Sequence, residues 1–410
     1  MSADALVLVE PGAHRPGGHR HHTLTALATA HGRTLVVAPS GIVDDTRAVL
    51  EAAGAQVTGP RGVAAVVLAL AGSAAAVLAR ATQRGFASHG WPTVLRRVPH
   101  QVALLARCLT EAACVRTGHR LAGRRATVVV LSASEALHGA AAVLGGRHTR
   151  FVHERVTTED AVLRALGRLA RRGERRVRVL TPTEAVRTDL LARFPRLPVQ
   201  VRPFAVADER NRLTEAERRR AREAFGIPAS ETAVCLVGGW WPYKDLDVID
   251  AALARLDVPV HVLVTGGPLD PERLNAWDRL PHVRLHVRPG PVPEAMVRTV
   301  YAAADAALVT RRPGTAKESG LVVDAVRMGV SLVVSGHDPH LSLRLAGQPW
   351  TRLFPPGDAA ALATILSALA SAPLPRPAGR AAADLGVPTP VDQTVFLTSP
   401  KELPCPSRLR

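Results

Sequence analysis

The sequence predicts an α/β protein built as two Rossmann-like doubly wound halves. Three observations predict it. The length of 410 residues exceeds what one core normally fills. Short apolar runs of strand length alternate with helix-like stretches, and near residue 205 that alternation breaks off and restarts.

In the first half, residues 5–9 form an apolar run of strand length, residues 11–18 a Gly/Pro loop, and residues 19–30 a helical stretch that Gly32 ends; residues 35–38 then read as a second strand. A strand, loop, helix, strand unit builds a parallel sheet, with ligands at the carboxyl ends of the strands. Further apolar runs follow at residues 126–131, 150–153 and 177–180.

The restart is marked by Thr214 and Glu217, spaced as a capping box at the head of an arginine-rich helix that Gly226 and Pro228 close. Strands are expected at residues 233–237, 260–265, 283–287, 306–309 and 331–335, with helices at 245–256, 293–304 and 319–328. The expected domains are residues 1–205 and 206–373. Residues 374–410, rich in proline and arginine and without a helical period, are expected to form an irregular tail.

Charge and composition narrow the partners. The net charge of +17 is almost wholly arginine, because lysine occurs only at Lys244, Lys317 and Lys401. Such an excess suits nucleic acid, an anionic membrane surface or phosphorylated small molecules. Nucleic acid is disfavoured, since aromatics make up 3% of the chain and are not interleaved with the basic residues. Cys108, Cys114, Cys235 and Cys405 show no CxxC spacing and no histidine set, so neither a disulfide framework nor a zinc site is expected. No secretory leader is read at the N-terminus, and no carboxylate cluster suggests a metal. A cytoplasmic protein without a cofactor is expected.

Two segments bear on membranes. Residues 62–79 carry no charge and end at Arg80, which reaches the length considered for a spanning helix, but alanine dominates and Gly72 and Ser73 sit in the middle. A buried or partly buried helix is the first expectation, and contact with a membrane surface the second. Residues 158–172 place Val162, Leu163, Leu166 and Leu169 on one helical face and Arg164, Arg168 and Arg171 elsewhere, as in a solvated basic helix or one drawn to anionic headgroups. Together they suggest peripheral association with an anionic inner membrane face.

Three loops of the second half follow successive strands and should open on one crevice. The first is Gly238-Gly239-Trp240-Trp241-Pro242-Tyr243-Lys244, whose glycines permit close approach and whose lysine, just before a helix, can meet a phosphate; packing against the sheet is expected of the tryptophans. The second is Thr265-Gly266-Gly267-Pro268. The third, residues 311–320, brings Lys317, Glu318, Ser319 and Gly320 to the start of a helix carrying Leu321 and Asp324, where free amides and the helix dipole favour an anion.

These residues resemble retaining glycosyltransferases of the GT-B fold, of the group 1, family 4 type, in which two Rossmann-like domains face across a cleft. The likeness lies in Val237-Gly238-Gly239 with Pro242-Tyr243-Lys244, in Glu318-Ser319-Gly320-Leu321-Val322-Val323-Asp324-Ala325, in the strand from Gly329 to Ser335, in Pro355-Pro356-Gly357-Asp358, and in Gly17-Gly18 with His22. The resemblance implies a sugar donor linked to uridine or guanosine diphosphate and an acceptor that is a glycan, a lipid or a small molecule. It implies that Lys244 meets the diphosphate, Glu318 the sugar hydroxyls, Ser319 and Gly320 the phosphate or sugar, and Asp324 the ribose. Gly18, Gly238, Gly239, Gly266 and Leu321 complete the implied donor site.

The chain departs from that pattern at three places. Gly239 stands where the family has arginine, which suggests Lys317 as the replacement cation. Asp324 stands for a glutamate, and Ser132-Ala133-Ser134-Glu135 for a loop with a His-Glu pair, leaving Glu135 and His153 as candidate catalytic groups beside Glu318. The departures and the +17 charge keep open a catalytically silent nucleotide-sugar or polyanion-binding protein, and a sugar-nucleotide epimerase or phosphorylase of the same fold is the other alternative.

Overall fold

The computed structural model describes residues 5–15, 19–86, 97–153, 167–168, 170–208, 212–315 and 318–399. The chain divides into two compact units, one of Met1–Phe204 with Ala316–Glu318 and Pro390–Arg410, the other of Ala205–Thr315 with Ser319–Thr389.

The first unit contains β1 (Leu6–Val9), α1 (His19–His31), β2 (Thr34–Val37), α2 (Asp44–Ala52), β3 (Gln56–Thr58), α3 (Val63–Phe86) and α4 (Val98–Ala122). It continues with β4 (Thr127–Val130), α5 (His138–Gly145), β5 (His148–Phe151), the single turn α6 (Arg171–Glu174), β6 (Val177–Thr181), α7 (Glu184–Arg193) and β7 (Val199–Val201). Its seven strands are all parallel, in the order β3-β2-β1-β4-β5-β6-β7. Every residue of β1 is buried, because a parallel strand covered by helices on both faces needs a continuous apolar run rather than an alternating one.

The second unit runs α8 (Glu215–Phe225), β8 (Thr232–Val237), α9 (Asp247–Leu253), β9 (Val260–Gly266), α10 (Pro271–Asp278), β10 (Val283–Pro289) and α11 (Glu294–Ala303). Then come β11 (Ala306–Val309), α12 (Gly320–Met328), β12 (Ser331–Ser335), α13 (Pro339–Leu345), β13 (Thr351–Phe354), α14 (Ala359–Ser371) and the short α15 (Ala381–Asp384). The six strands are parallel in the order β10-β9-β8-β11-β12-β13. The expected capping box is present at α8, with Thr214 and Glu217 bonding reciprocally and Gly226 left-handed at the far end.

Both sheets have one topology. Strand order reverses between β1 and β4 in the first unit and between β8 and β11 in the second, and a doubly wound sheet opens a crevice at the carboxyl ends of its strands at such a point.

The expectation of an irregular tail is corrected. Besides α15, residues Pro390–Thr398 form α16, which belongs to the first unit and lies against α1. A buried glutamine anchors it: Gln393 Nε2 donates to the Pro203 carbonyl at 2.9 Å, and its Oε1 accepts from Arg202 Nε at 2.6 Å. Arg178 and Arg202 lie 4.2 and 4.4 Å from the centre of the Phe396 ring. The basic helix expected across residues 158–172 falls mostly outside the described residues.

Candidate functional site

At the reversal point of the second sheet two cations meet. Lys244 follows β8, Arg311 follows β11, and the two residues form an isolated antiparallel bridge. Both are buried. Lys244 Nζ donates to the carbonyls of Val237 and Gly238 at 2.9 and 3.0 Å, which fixes the ammonium over the end of β8 and uses two of its three N–H groups. Burial, together with the Arg311 guanidinium, pushes the Lys244 pKa down to about 8. Arg311 also lies 5.5 Å from the centre of the Tyr243 ring. Beyond it, His337 follows β12, where burial and Arg311 lower its pKa to about 4 and keep the ring neutral at pH 7. Its Nδ1 lies 2.7 Å from the Ser335 carbonyl.

The glycines of the two neighbouring loops serve each other first. A side chain at Gly239 would bring its Cβ to 2.2 Å from the Gly267 carbonyl oxygen and 2.9 Å from Pro268 Cδ, so arginine cannot stand there. Gly266, at φ +117°, faces the backbone of Gly238 in the same way, with a Cβ limited to 2.8 Å. Trp240 packs on Trp277 with ring centres 5.2 Å apart, as expected of a sheet-packing residue, whereas Trp241 is 49% exposed. A cavity of about 270 Å³ opens beside this loop, with Trp241, Lys244, Asp247, Arg273 and Arg312 among its walls. Asp247 holds both arginines at 2.8 Å, and these two hydrogen bonds lower its pKa.

Ser319 begins α12 but does not cap it through its side chain; its carbonyl accepts from Val322 and Val323. The hydroxyl is buried and has no hydrogen-bond partner among the described residues. Gly320 is buried and Leu321 half-buried against the core. Asp324, one turn further on, accepts from Arg327 Nε at 3.0 Å. Lys317 and Gly18 lie outside the described residues.

The corresponding point of the first sheet carries a carboxylate. Glu10, directly after β1, is 1% exposed; its Oε1 accepts from Gly12 N and its Oε2 from Ser132 Oγ, both at 2.7 Å, with Ser132 following β4. Burial outweighs these hydrogen bonds and raises the carboxyl pKa. Behind it, Arg150 and Glu111 form a fully buried ion pair at 2.7 Å, and Glu111 also accepts from Ser134 N at 2.7 Å, which ties α4 to β5 and to the loop after β4.

Glu135 lies 3.8 Å from Arg107 and stands apart from that network. His153 follows β5, with Nε2 2.7 Å from the Leu131 carbonyl and its ring edge-on to Phe204 at 4.2 Å. Glu318 Oε1 accepts from the Phe204 amide at 3.1 Å, so Phe204 brings Glu318 and His153 into one neighbourhood. Sequence reasoning missed Glu10, Arg311 and His337. One signal could have found all three: each is a polar residue within two positions of the carboxyl end of an apolar strand.

No protein-family model and no curated protein matches the sequence. Solved structures do match. The chain is similar to Anabaena HepE, determined in complex with UDP and glucose, at a TM-score of 0.59 and 16% identity over 96% of this chain and 98% of that one. It is also similar to WaaG, a glycosyltransferase involved in lipopolysaccharide biosynthesis, at a TM-score of 0.55 and 13% identity over 96% and 100% of the two chains. The fold is GT-B. The N-terminal domain of Candida albicans trehalose-6-phosphate phosphatase shares this arrangement at a TM-score of 0.62 and 9% identity over 95% of this chain and 97% of that one. In the terms of the GT-B fold, the Lys244–Arg311 pair belongs to the C-terminal Rossmann-like unit and Glu10 to the N-terminal one.

Proposed function

We propose that the protein is a glycosyltransferase that moves a sugar from a nucleotide diphosphate to an acceptor, with uridine as the base and with retention at the anomeric carbon. The observation that carries this reading is the pairing of Lys244 with Arg311 at the reversal point of the second sheet. Two like charges held side by side in a crevice draw an anion, and a diphosphate supplies two negative charges. Arg311, on the neighbouring strand, then takes the place of the arginine that Gly239 excludes. The start of α12 adds the Gly320 amide, the Ser319 hydroxyl and the positive end of the helix dipole. As the sugar–phosphate bond breaks, charge grows on the leaving diphosphate, and these fixed groups stabilise it without reorganising. Glu318, adjacent to Ser319 in the chain, is assigned to the hydroxyls of the transferred sugar.

The uridine assignment is supported by the complexes of HepE with UDP and with UDP-glucose; retention is supported by the sequence resemblance. Calorimetry with uridine and guanosine diphosphate sugars, coupled to an assay for released nucleotide diphosphate, tests the proposal. Binding of a uridine donor with slow release of UDP is expected even without acceptor. Binding without any release would replace the transferase by a silent nucleotide-sugar-binding protein, and no binding would remove both.

A further inference from the structure

Helix α3 has an apolar face that no described residue of its own unit covers. Its Val63–Gln83 stretch is long and apolar enough to cross a membrane, yet only 17% of it is buried. The buried part is a narrow seam, Ala65, Gly72 and Ala79, spaced seven apart. Gly72 sits so close to α4 that a Cβ there would meet Thr110 Oγ1 at 2.5 Å and the Ala106 carbonyl at 3.0 Å, and Gly62 lies beside Arg120, so α3 runs antiparallel to α4 along that seam. Val63, Val67, Leu70, Val77 and Leu78 point away from it, each more than half exposed. At 1.5 Å per residue the apolar strip from Val63 to Leu78 is about 24 Å long.

Charge selects what covers the strip. Between Glu51 and Glu111 the chain has no aspartate or glutamate, while it has arginine at positions 61, 80, 84, 96, 97 and 107. Arg61 and Arg80 are exposed. We infer that α3 lies flat on an anionic lipid surface, its apolar face in the acyl boundary and its arginines at the phosphates. A second copy of the chain fits poorly: a two-fold contact would set this strip on itself, arginine against arginine with no carboxylate opposite. Insertion across the bilayer fits poorly too, because α3 is seated on α4, and α4 is fixed to the sheet by the buried Glu111–Arg150 pair.

Flotation with vesicles tests the inference, using the full-length protein and its Val67→Gln/Leu70→Gln/Val77→Gln variant. All three positions are exposed, so the variant should melt as wild type does and bind uridine donor equally well. At low ionic strength the wild type is expected to float with phosphatidylcholine–phosphatidylglycerol vesicles, and to do so at least about tenfold less with phosphatidylcholine alone or in high salt. The variant is expected to lose about tenfold or more in binding to the mixed vesicles. Equal flotation of the variant and the wild type would overturn the assignment to α3, and equal flotation on neutral vesicles the role of the anionic headgroups. Failure to float, with a dimer that the variant dissolves, would give the strip to a second copy. Resistance to alkaline carbonate would make the helix a span.

Discussion

The two reversal points differ in sign. Each lies between the first and fourth strands of a doubly wound sheet, and each joins one residue after the first strand to one after the fourth. In the first unit these are Glu10 and Ser132, an acid hydrogen-bonded to a hydroxyl. In the second they are Lys244 and Arg311, two cations, and burial first and the charge of Arg311 second lower the pKa of the lysine. The backbone provides the same crevice twice, and the residue that leaves the sheet decides what the crevice attracts. Glu111 and Arg150 add a contrast within the first unit, because there the two charges are opposite and neutralise each other.

The largest expected effect separates structural charge from binding charge. Arg150→Met leaves Glu111 buried without its partner and should cost about 3 to 5 kcal/mol in urea unfolding, since a stranded buried charge is worth more than a broken surface pair. Donor affinity of the remaining folded protein should be unchanged. A loss of affinity matching that of the cation variants would erase the distinction.

Arg311→Ala and Lys244→Ala should each weaken uridine-donor binding by about 1.5 to 3 kcal/mol in calorimetry, the range of charge-assisted hydrogen bonds. The double variant should lose less than the sum, because both cations act on one diphosphate. Additive losses would mean two separate sites.

Gly239→Ala should destabilise the protein by about 1 to 3 kcal/mol, the usual cost of forcing atoms into a filled space, here against the Gly267 carbonyl. Gly239→Arg should therefore not strengthen donor binding. A tighter Gly239→Arg variant would show that Arg311 does not stand in for the arginine of the glycosyltransferase pattern that this loop resembles.

The smallest expected effect is on pH. Lys244 has its pKa depressed to about 8, so below that value the charged form binds the diphosphate, and affinity should fall, by about tenfold or less, as pH rises through 8 and the proton is lost. Bound donor should raise the same pKa. Binding by Lys244→Ala should be flat across this window; a surviving inflection would assign the titration to another group.

Much of this architecture is written in the sequence, because a strand buried on both faces must be an unbroken apolar run and a helix end must satisfy its free amides. The runs at 5–9, 126–131 and 306–309 and the Thr214–Glu217 capping box state those demands locally. The edge strands β3 and β7 do not, since each is three residues long and no residue in either is fully buried, so no run marks them. Helix α16 was hidden for a related reason: its anchor is a glutamine, which becomes a core residue only when Arg202 and the Pro203 carbonyl meet it from 190 residues or more away in the chain. The candidate site divides in the same way. Lys244 stood out as one of three lysines between a glycine loop and a helix, whereas Arg311 is one arginine among dozens until β8 and β11 pair and set the two cations together. Sequence alone determined the sheet-forming runs, the repeated alternation of strand and helix and the glycine loops, since these are local requirements of backbone and burial. Tertiary structure alone decided which charges face each other, because that depends on strand order, and strand order joins residues that the chain keeps 67 positions apart.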